Sequence, residues 1–282
     1  MGTTHTTTRA DLRIKESWSP GLLYEATEES VVTRNFASLT GVQKINKKVH
    51  IPKVKRIAAV GGGAYSTGLN YASNPEEEIV VTPVQSYGAV EIQHAVFSRL
   101  DGDPTSAYRK MILAGLAEYR DQYGAALAAG LTVNVKGSAL ADIDKGLLLS
   151  VQQALAASAR NAFQIGVTDW FIKLHTSQIA NCMGMFDFTA DYVRGDSEKP
   201  LVSGWLSKAL GAVINESGNV YAAGGVTHNM AYLSDAFVMG FNEESTILDP
   251  QPFELVVRVI GTEEFGMSEQ FDEYAVDIQT KG

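Results

Sequence analysis

The richest chemical signal is the run KRIAAVGGGAYSTG at residues 55–68, where a β-branched stretch meets a cluster of glycines. A glycine turn of this kind, placed between a strand and a helix, lays backbone N–H groups against a pyrophosphate. Gly61 and Gly63 match the first positions of G-x-G-x-x-G, but Ser66 occupies the last. The following stretch, 69–75, is too short and polar to form the helix that would hold the phosphates. The next strand-like run, 79–84, does not end in an acid able to bind a ribose hydroxyl. A P-loop is excluded too, because Leu69 follows Gly68 and no lysine is placed for the β- and γ-phosphates. The run reads as the tip of a hairpin. A nucleotide-binding enzyme using the Gly61–Gly68 turn is the competing reading.

Other chemistry is thinner. The histidines His5, His50, His94, His175 and His228 are scattered, with no H-E-x-x-H and no paired spacing, and the lone Cys182 cannot build a zinc site. No serine lies in G-x-S-x-G or has lysine three residues on. Cys182 sits among apolar residues, where a thiol is normally inert. Asp101, Asp103, Asp142 and Asp144 lack the spacing and glycine of a calcium loop and read better as helix caps. The expectation is a chain with no catalytic residue, cofactor site or metal site.

Composition narrows the class. The chain has 282 residues, 45% of them hydrophobic and 20% charged, as in ordinary globular proteins. A net charge of −9 opposes a generic nucleic-acid-coating role. No apolar stretch approaches the roughly 18 residues of a membrane span, and the start lacks the apolar core of a secretory signal. Gly2 and Thr6 match a loose myristoylation pattern. The charge is unevenly spread. Between Ser30 and Pro75 there is no acidic residue, while Arg34, Lys44, Lys47, Lys48, Lys53, Lys55 and Arg56 supply +7, so the rest carries −16; Glu76, Glu77 and Glu78 follow at once. Such segregation can steer a basic arm onto the acidic surface of an identical neighbour. A solvated basic loop and a nucleic-acid patch are the alternatives.

The elements that must position these residues follow from pattern. Residues 1–17 are polar and Thr-rich and read as an arm; Ser19-Pro20 opens a short helix over about 20–32. The stretches 47–60 and 77–96 read as a long hairpin, whose Pro52 and Pro83 confine it to an edge or a projection. Asp103-Pro104 opens the strongest helix, over 104–129, with Ile112, Leu116, Tyr119 and Tyr123 on one side. Arg109, Lys110, Glu118, Arg120 and Asp121 lie on the other. A second helix spans 143–162, capped by Asp142 or Asp144. DWFIKL (169–174) reads as a buried strand, and Thr176 or Ser177 caps a third helix through Met183. Residues 191–200 form a charged loop. The segment 201–217 ends in a strand, and 231–241, 252–261 and 273–280 are further strands. The order is α+β, without a βαβ repeat.

A polar arm, a basic hairpin with a Gly-rich tip, one long helix, a mixed region and closing strands together resemble a tailed-bacteriophage major capsid protein of the Hong Kong 97 fold. DWFIKLHTSQIANC (169–182), GWLSKALGAVINES (204–217) and EEFGMSEQFDEYAVDIQT (263–280) are similar to family segments. The resemblance implies an N-terminal arm at 1–45 and an extended loop at 46–92. It implies a peripheral domain at 93–139 and 251–282, with a spine helix at 102–130, and an axial domain at 140–250. It further implies a non-enzymatic subunit without cofactor that self-assembles into hexamers and pentamers of an icosahedral head enclosing double-stranded DNA in the virion. Lys47, Lys48, Lys53, Lys55 and Arg56 of the extended loop are then inter-subunit contacts. A scaffolding protein and a portal are expected partners, a decoration protein is an optional one, and no membrane is involved. An encapsulin-type compartment is the alternative within the same architecture. The loop lysines would also suit the isopeptide crosslinks that few family members form.

Overall fold

The computed structural model describes residues 30–38, 48–54, 76–93, 104–159, 162–163, 168–185, 208–251 and 256–282. The expected arm, most of the 20–32 helix, the glycine turn, the 191–200 loop and Lys47, Lys55 and Arg56 lie outside these residues, as do His5, His94, Asp101 and Asp103.

In chain order the strands are β1 (Ala37–Ser38), β2 (Val49–Val54), β3 (Glu76–Val81), β4 (Val84–Gln93), β5 (Val135–Gly137), β6 (Trp170–His175) and β7 (Lys208–Ala209). They continue with β8 (Ala212–Ser217), β9 (Tyr221–Ala223), β10 (Val226–Tyr232), β11 (Phe237–Gln251), β12 (Val256–Glu269) and β13 (Ala275–Lys281). The helices are α1 (Pro104–Ala126), α2 (Lys145–Ser158) and α3 (Thr176–Met183). They build a four-stranded sheet, β1-β11-β12-β4, a seven-stranded sheet, β5-β13-β10-β6-β8-β7 with β9 beside β10, and the separate β2–β3 pair. The mixture is α+β, as its sequence pattern implies.

Helix α1 starts on Pro104, whose missing N–H costs nothing at a helix start. Its 23 residues span about 34 Å at 1.5 Å each before the last turn tightens to a 3₁₀ helix over Leu127–Gly130. It lies on β12 and β4 because two glycines open a seat. Gly88 and Gly261 face each other across the strands, and a Cβ there would come within 3.0 Å and 2.5 Å of Ile112 Cγ2. Tyr119 and Tyr123 then meet Phe265 edge-on, with ring centroids 6.2 and 5.4 Å apart.

The seven-stranded sheet is packed on both faces. Strand alternation sends Trp170, Ile172 and Leu174 of β6, with Val276 and Ile278 of β13, into a core closed by Leu148, Val151 and Leu155 of α2 and Ile179 and Cys182 of α3. The opposite face contributes Phe171, Met230 and Tyr232 to a second core, shared with Phe237, Phe265 and Met267 of the four-stranded sheet. This shared core joins the two sheets.

Several expectations shift. The 77–96 run is two strands: β3 stays in the hairpin, and after Thr82-Pro83 the chain turns so that β4 pairs with β12 at the edge of the four-stranded sheet. The 231–241 run is likewise broken. Ser234–Ala236 forms a 3₁₀ turn that carries the chain from β10 in one sheet to β11 in the other, in keeping with the turn chemistry of Ser234-Asp235. The closing strand β13 does not join β11 and β12 in a peripheral layer. It lies between β5 and β10 in the seven-stranded sheet, because Val276 and Ile278 complete the core beneath α2. Asp144 does cap α2, accepting from Leu147 N at 2.6 Å. The third helix is capped by His175, whose Nδ1 accepts from Ser177 N, rather than by Thr176 or Ser177.

Candidate assembly surface

The basic hairpin is the first place to seek function. Its described part is seated on the body by a small core of Val49, Val81 and Val238, with Ile51 and Ile79 against it. Lys48 is exposed and Lys53 half-buried. Register places Lys53 opposite Glu77 and Pro52 opposite Glu78, and His50 Nδ1 meets Glu78 Oε1. The basic and acidic runs, separate in sequence, are thus interleaved here across two strands. Lys53 also reaches the body: its Nζ lies 4.6 Å from the centre of the Phe271 ring. It helps offset the rise in the Glu269 pKa that burial and the nearby Asp272 produce. Of the five loop residues expected at a subunit contact, Lys53 therefore has partners within its own chain.

A second cluster, unsignalled by local sequence, sits where the N-terminal segment meets both sheets. Asp121 of α1 is fully buried, although the helix pattern places it on the charged outer side. Its Oδ1 accepts from Thr33 N at 2.8 Å and from the hydroxyls of Ser30 and Thr33 at 3.0 Å. Its Oδ2 accepts from Val31 N and Val32 N, both at 3.1 Å. Three successive backbone amides thus wrap one carboxylate, as they would wrap a bound anion. Around it, Tyr232 donates to the Val32 carbonyl at 2.7 Å, and burial, with Asp121 nearby, holds its hydroxyl well above the usual tyrosine pKa. Lys173 of β6 donates to Asn35 Oδ1 at 2.8 Å and to Asn215 Oδ1 at 2.7 Å. Burial lowers the Lys173 pKa to about 8; Asp121 pulls it up and Arg34 pushes it down. The cluster clasps residues 30–36 between α1 and the seven-stranded sheet. A second helix charge is also withdrawn from water, since Arg120 pairs with the buried Glu263 of β12.

The third feature is the sheet face turned away from α1. Register aligns three rows across β4, β12 and β11: Tyr87, Thr262 and Ser245; Ala89, Ile260 and Ile247; Glu91, Arg258 and Asp249. The first row holds a 2.7 Å contact between the Ser245 and Thr262 hydroxyls, and the last an Arg258–Glu91 ion pair at 3.1 Å. The middle row is apolar, with Ile247 53% exposed, and Tyr87 beside it is 79% exposed.

Other reactive side chains among the described residues are buried or engaged. Burial pushes the Cys182 thiol up to about 12, which removes it as a nucleophile near neutral pH. His228 is engaged by Asp277 at 3.0 Å, and Gln279 holds the same carboxylate at 2.9 Å. Among the described residues no group of His, Cys, Asp and Glu could hold a metal, and no helix is long and apolar enough to cross a membrane.

No family model and no curated protein matches the sequence. Structure is more informative. A structure from Mycobacterium phage Che8 superposes with a TM-score of 0.75 at 19% identity, covering 94% of this chain and 97% of that one. The capsid structure of cyanophage P-SCSP1u gives 0.74 at 13% identity, covering 96% and 94%. The capsid of a native GTA particle gives 0.72 at 10% identity, covering all of both chains. With the long helix laid on one sheet, the hairpin beside it and a second sheet packed on both faces, this chain has the fold of tailed-phage major capsid proteins, the Hong Kong 97 fold.

Proposed function

We propose that this chain is the structural subunit of an icosahedral particle of the tailed-phage or GTA type, located in the virion and without catalytic activity of its own. The observation that carries the reading is end-to-end coverage: the cyanophage and native GTA capsid chains match this chain over 96–100% of its length. Hexamers and pentamers would form the shell around double-stranded DNA held without sequence-specific contacts. A separate scaffolding protein and a portal would direct assembly, and a decoration protein is compatible with the exposed faces.

Lys47, Lys48, Lys55 and Arg56 are assigned to a neighbouring subunit's acidic surface, with Lys53 shared between that contact and Phe271 of its own chain. The test is size-exclusion chromatography with negative-stain microscopy on the full chain, with and without its neighbouring genes. Shells or capsomer rings are expected; a monomer of 30.4 kDa under every condition overturns the reading. Replacing Lys53, Lys55 and Arg56 by Glu should abolish shells and leave a folded subunit, and undiminished particle formation would refute the loop contact.

A further inference from the structure

The charge pattern of α1 puts Arg120 on the outer side of the helix, yet the structure seats it on the four-stranded sheet. Ile112, Leu116, Arg120 and Gly124 follow one another at four-residue intervals and form a single ridge along α1. Gly261, Glu263, Phe265 and Met267 of β12 alternate onto one face of their strand, and all four are buried. Ridge and strand meet step by step. Ile112 Cγ2 and Leu116 Cδ1 come within 2.5 and 3.3 Å of the Cβ that Gly261 lacks, and Arg120 pairs with Glu263. Tyr123 meets Phe265, and a Cβ on Gly124 would lie 3.3 Å from Met267 Sδ.

The two step lengths nearly agree. Four helix residues advance about 6 Å and two strand residues about 6.7 Å, so shape alone would let the sheet sit one step along the helix. Leu116 would then fill the seat of Ile112, one aliphatic side chain replacing another. Charge forbids the move. A slip in either direction takes Arg120 away from Glu263, whose carboxylate stays buried, and a buried charge that loses its partner is strongly destabilising. The next residue, Asp121, ties α1 to residues 30–33 instead. One charge therefore holds the helix to the N-terminal segment, and the other sets where β12 lies along it.

We propose that Arg120 and Glu263 are positioning residues whose pair pins the four-stranded sheet to one of the registers on α1 that the ridge would otherwise accept. Stability is a poor account of the pair, because apolar side chains of similar volume often replace a buried ion pair without loss. The pin acts within one subunit. Under the shell reading it gives every copy the same shape, as a closed symmetric assembly requires.

The test places cysteine pairs that report register in the full chain. An ideal Cβ on Gly88 lies 3.8 Å from the Ile112 Cβ, a separation typical of disulfides, so Gly88→Cys with Ile112→Cys traps the native register. Gly88→Cys with Leu116→Cys traps the sheet one step along. Under mild oxidation with both charges in place, the first pair should close, and the second should reach no more than about a tenth of that yield. Adding Arg120→Met and Glu263→Met should raise the second pair about tenfold or more. Exchanging the charges, Arg120→Glu with Glu263→Arg, should restore the original pattern. A neutral chain in which the second pair stays at its original yield overturns the inference. If the neutral chain fails to fold, the exchanged chain decides, and closure of the second pair there overturns it. A wild type that never assembles overturns the shell reading and leaves the trapping result to judge the pin by itself.

Discussion

The clasp around Asp121 and the outer face of the four-stranded sheet invert the usual rule of polar outside and apolar inside. At the clasp, a carboxylate, an ammonium group and a phenol are buried together. On the outer face, Ile247 and Tyr87 stand in solvent. The difference lies in where the partners come from. Every oxygen of Asp121 meets donors from its own chain, so the desolvation of the charge is offset where it arises. Among the described residues, no layer lies above the Ala89–Ile260–Ile247 row on the outer face of the sheet. One region is complete within the chain; under the proposed function, the other is completed by assembly.

The largest expected effect that would break this comparison is at the clasp. Asp121→Asn sets an amide N–H₂ against backbone donors and should lower subunit stability by about 3 kcal/mol. Denaturant titration measures the loss, and hydrogen exchange should show the amides of residues 31–33 opening with it. A variant as stable as wild type would mean that the carboxylate is incidental.

Next is the ammonium group of Lys173. Its folded pKa, about 8, is below the ordinary lysine value of 10.5 that the unfolded chain keeps, so the unfolded chain binds more protons between these values. Its contribution to stability must therefore rise with pH across that window, and the full penalty of burying the charge applies below pH 8. From pH 7.5 to 9.5 the gain should be about 2 kcal/mol. A Lys173→Met chain compared at the same two values should lack that increment, and an equal pH response in both chains would sink the assignment.

The smallest effect belongs to the outer face. Tyr87→Ser should change the stability of the dissociated subunit by no more than about 0.5 kcal/mol. A loss of several kcal/mol in thermal or chemical unfolding would show that this face already supports the fold within one chain.

Much of the framework was legible from local pattern. The 3.6-residue spacing of Ile112, Leu116, Tyr119 and Tyr123 identifies α1, and Asp144 announces its own cap. Trp170, Ile172 and Leu174 declare a buried strand, and the order of elements carries the resemblance to capsid proteins. Pattern failed where one signal has two outcomes. The apolar run through Pro83 reads as one strand, yet the proline, lacking an N–H, is where the chain passes from hairpin to sheet. Likewise β13 alternates as a peripheral strand would, and only the core beneath α2 decides which sheet it joins.

What the sequence determines by itself is therefore whatever depends on near neighbours in the chain: periodicity, capping, turn chemistry, and the absence of nucleophile and phosphate-binding motifs. Tertiary structure alone decided the rest. Asp121 reads as a solvated helix charge because its partners at Ser30–Thr33 are about ninety residues away. The basic and acidic runs look segregated because antiparallel pairing, which sets Lys53 opposite Glu77, is invisible along the chain. Hydrogen bonds and ion pairs act over a few ångströms of space, and distance along the sequence does not report that separation.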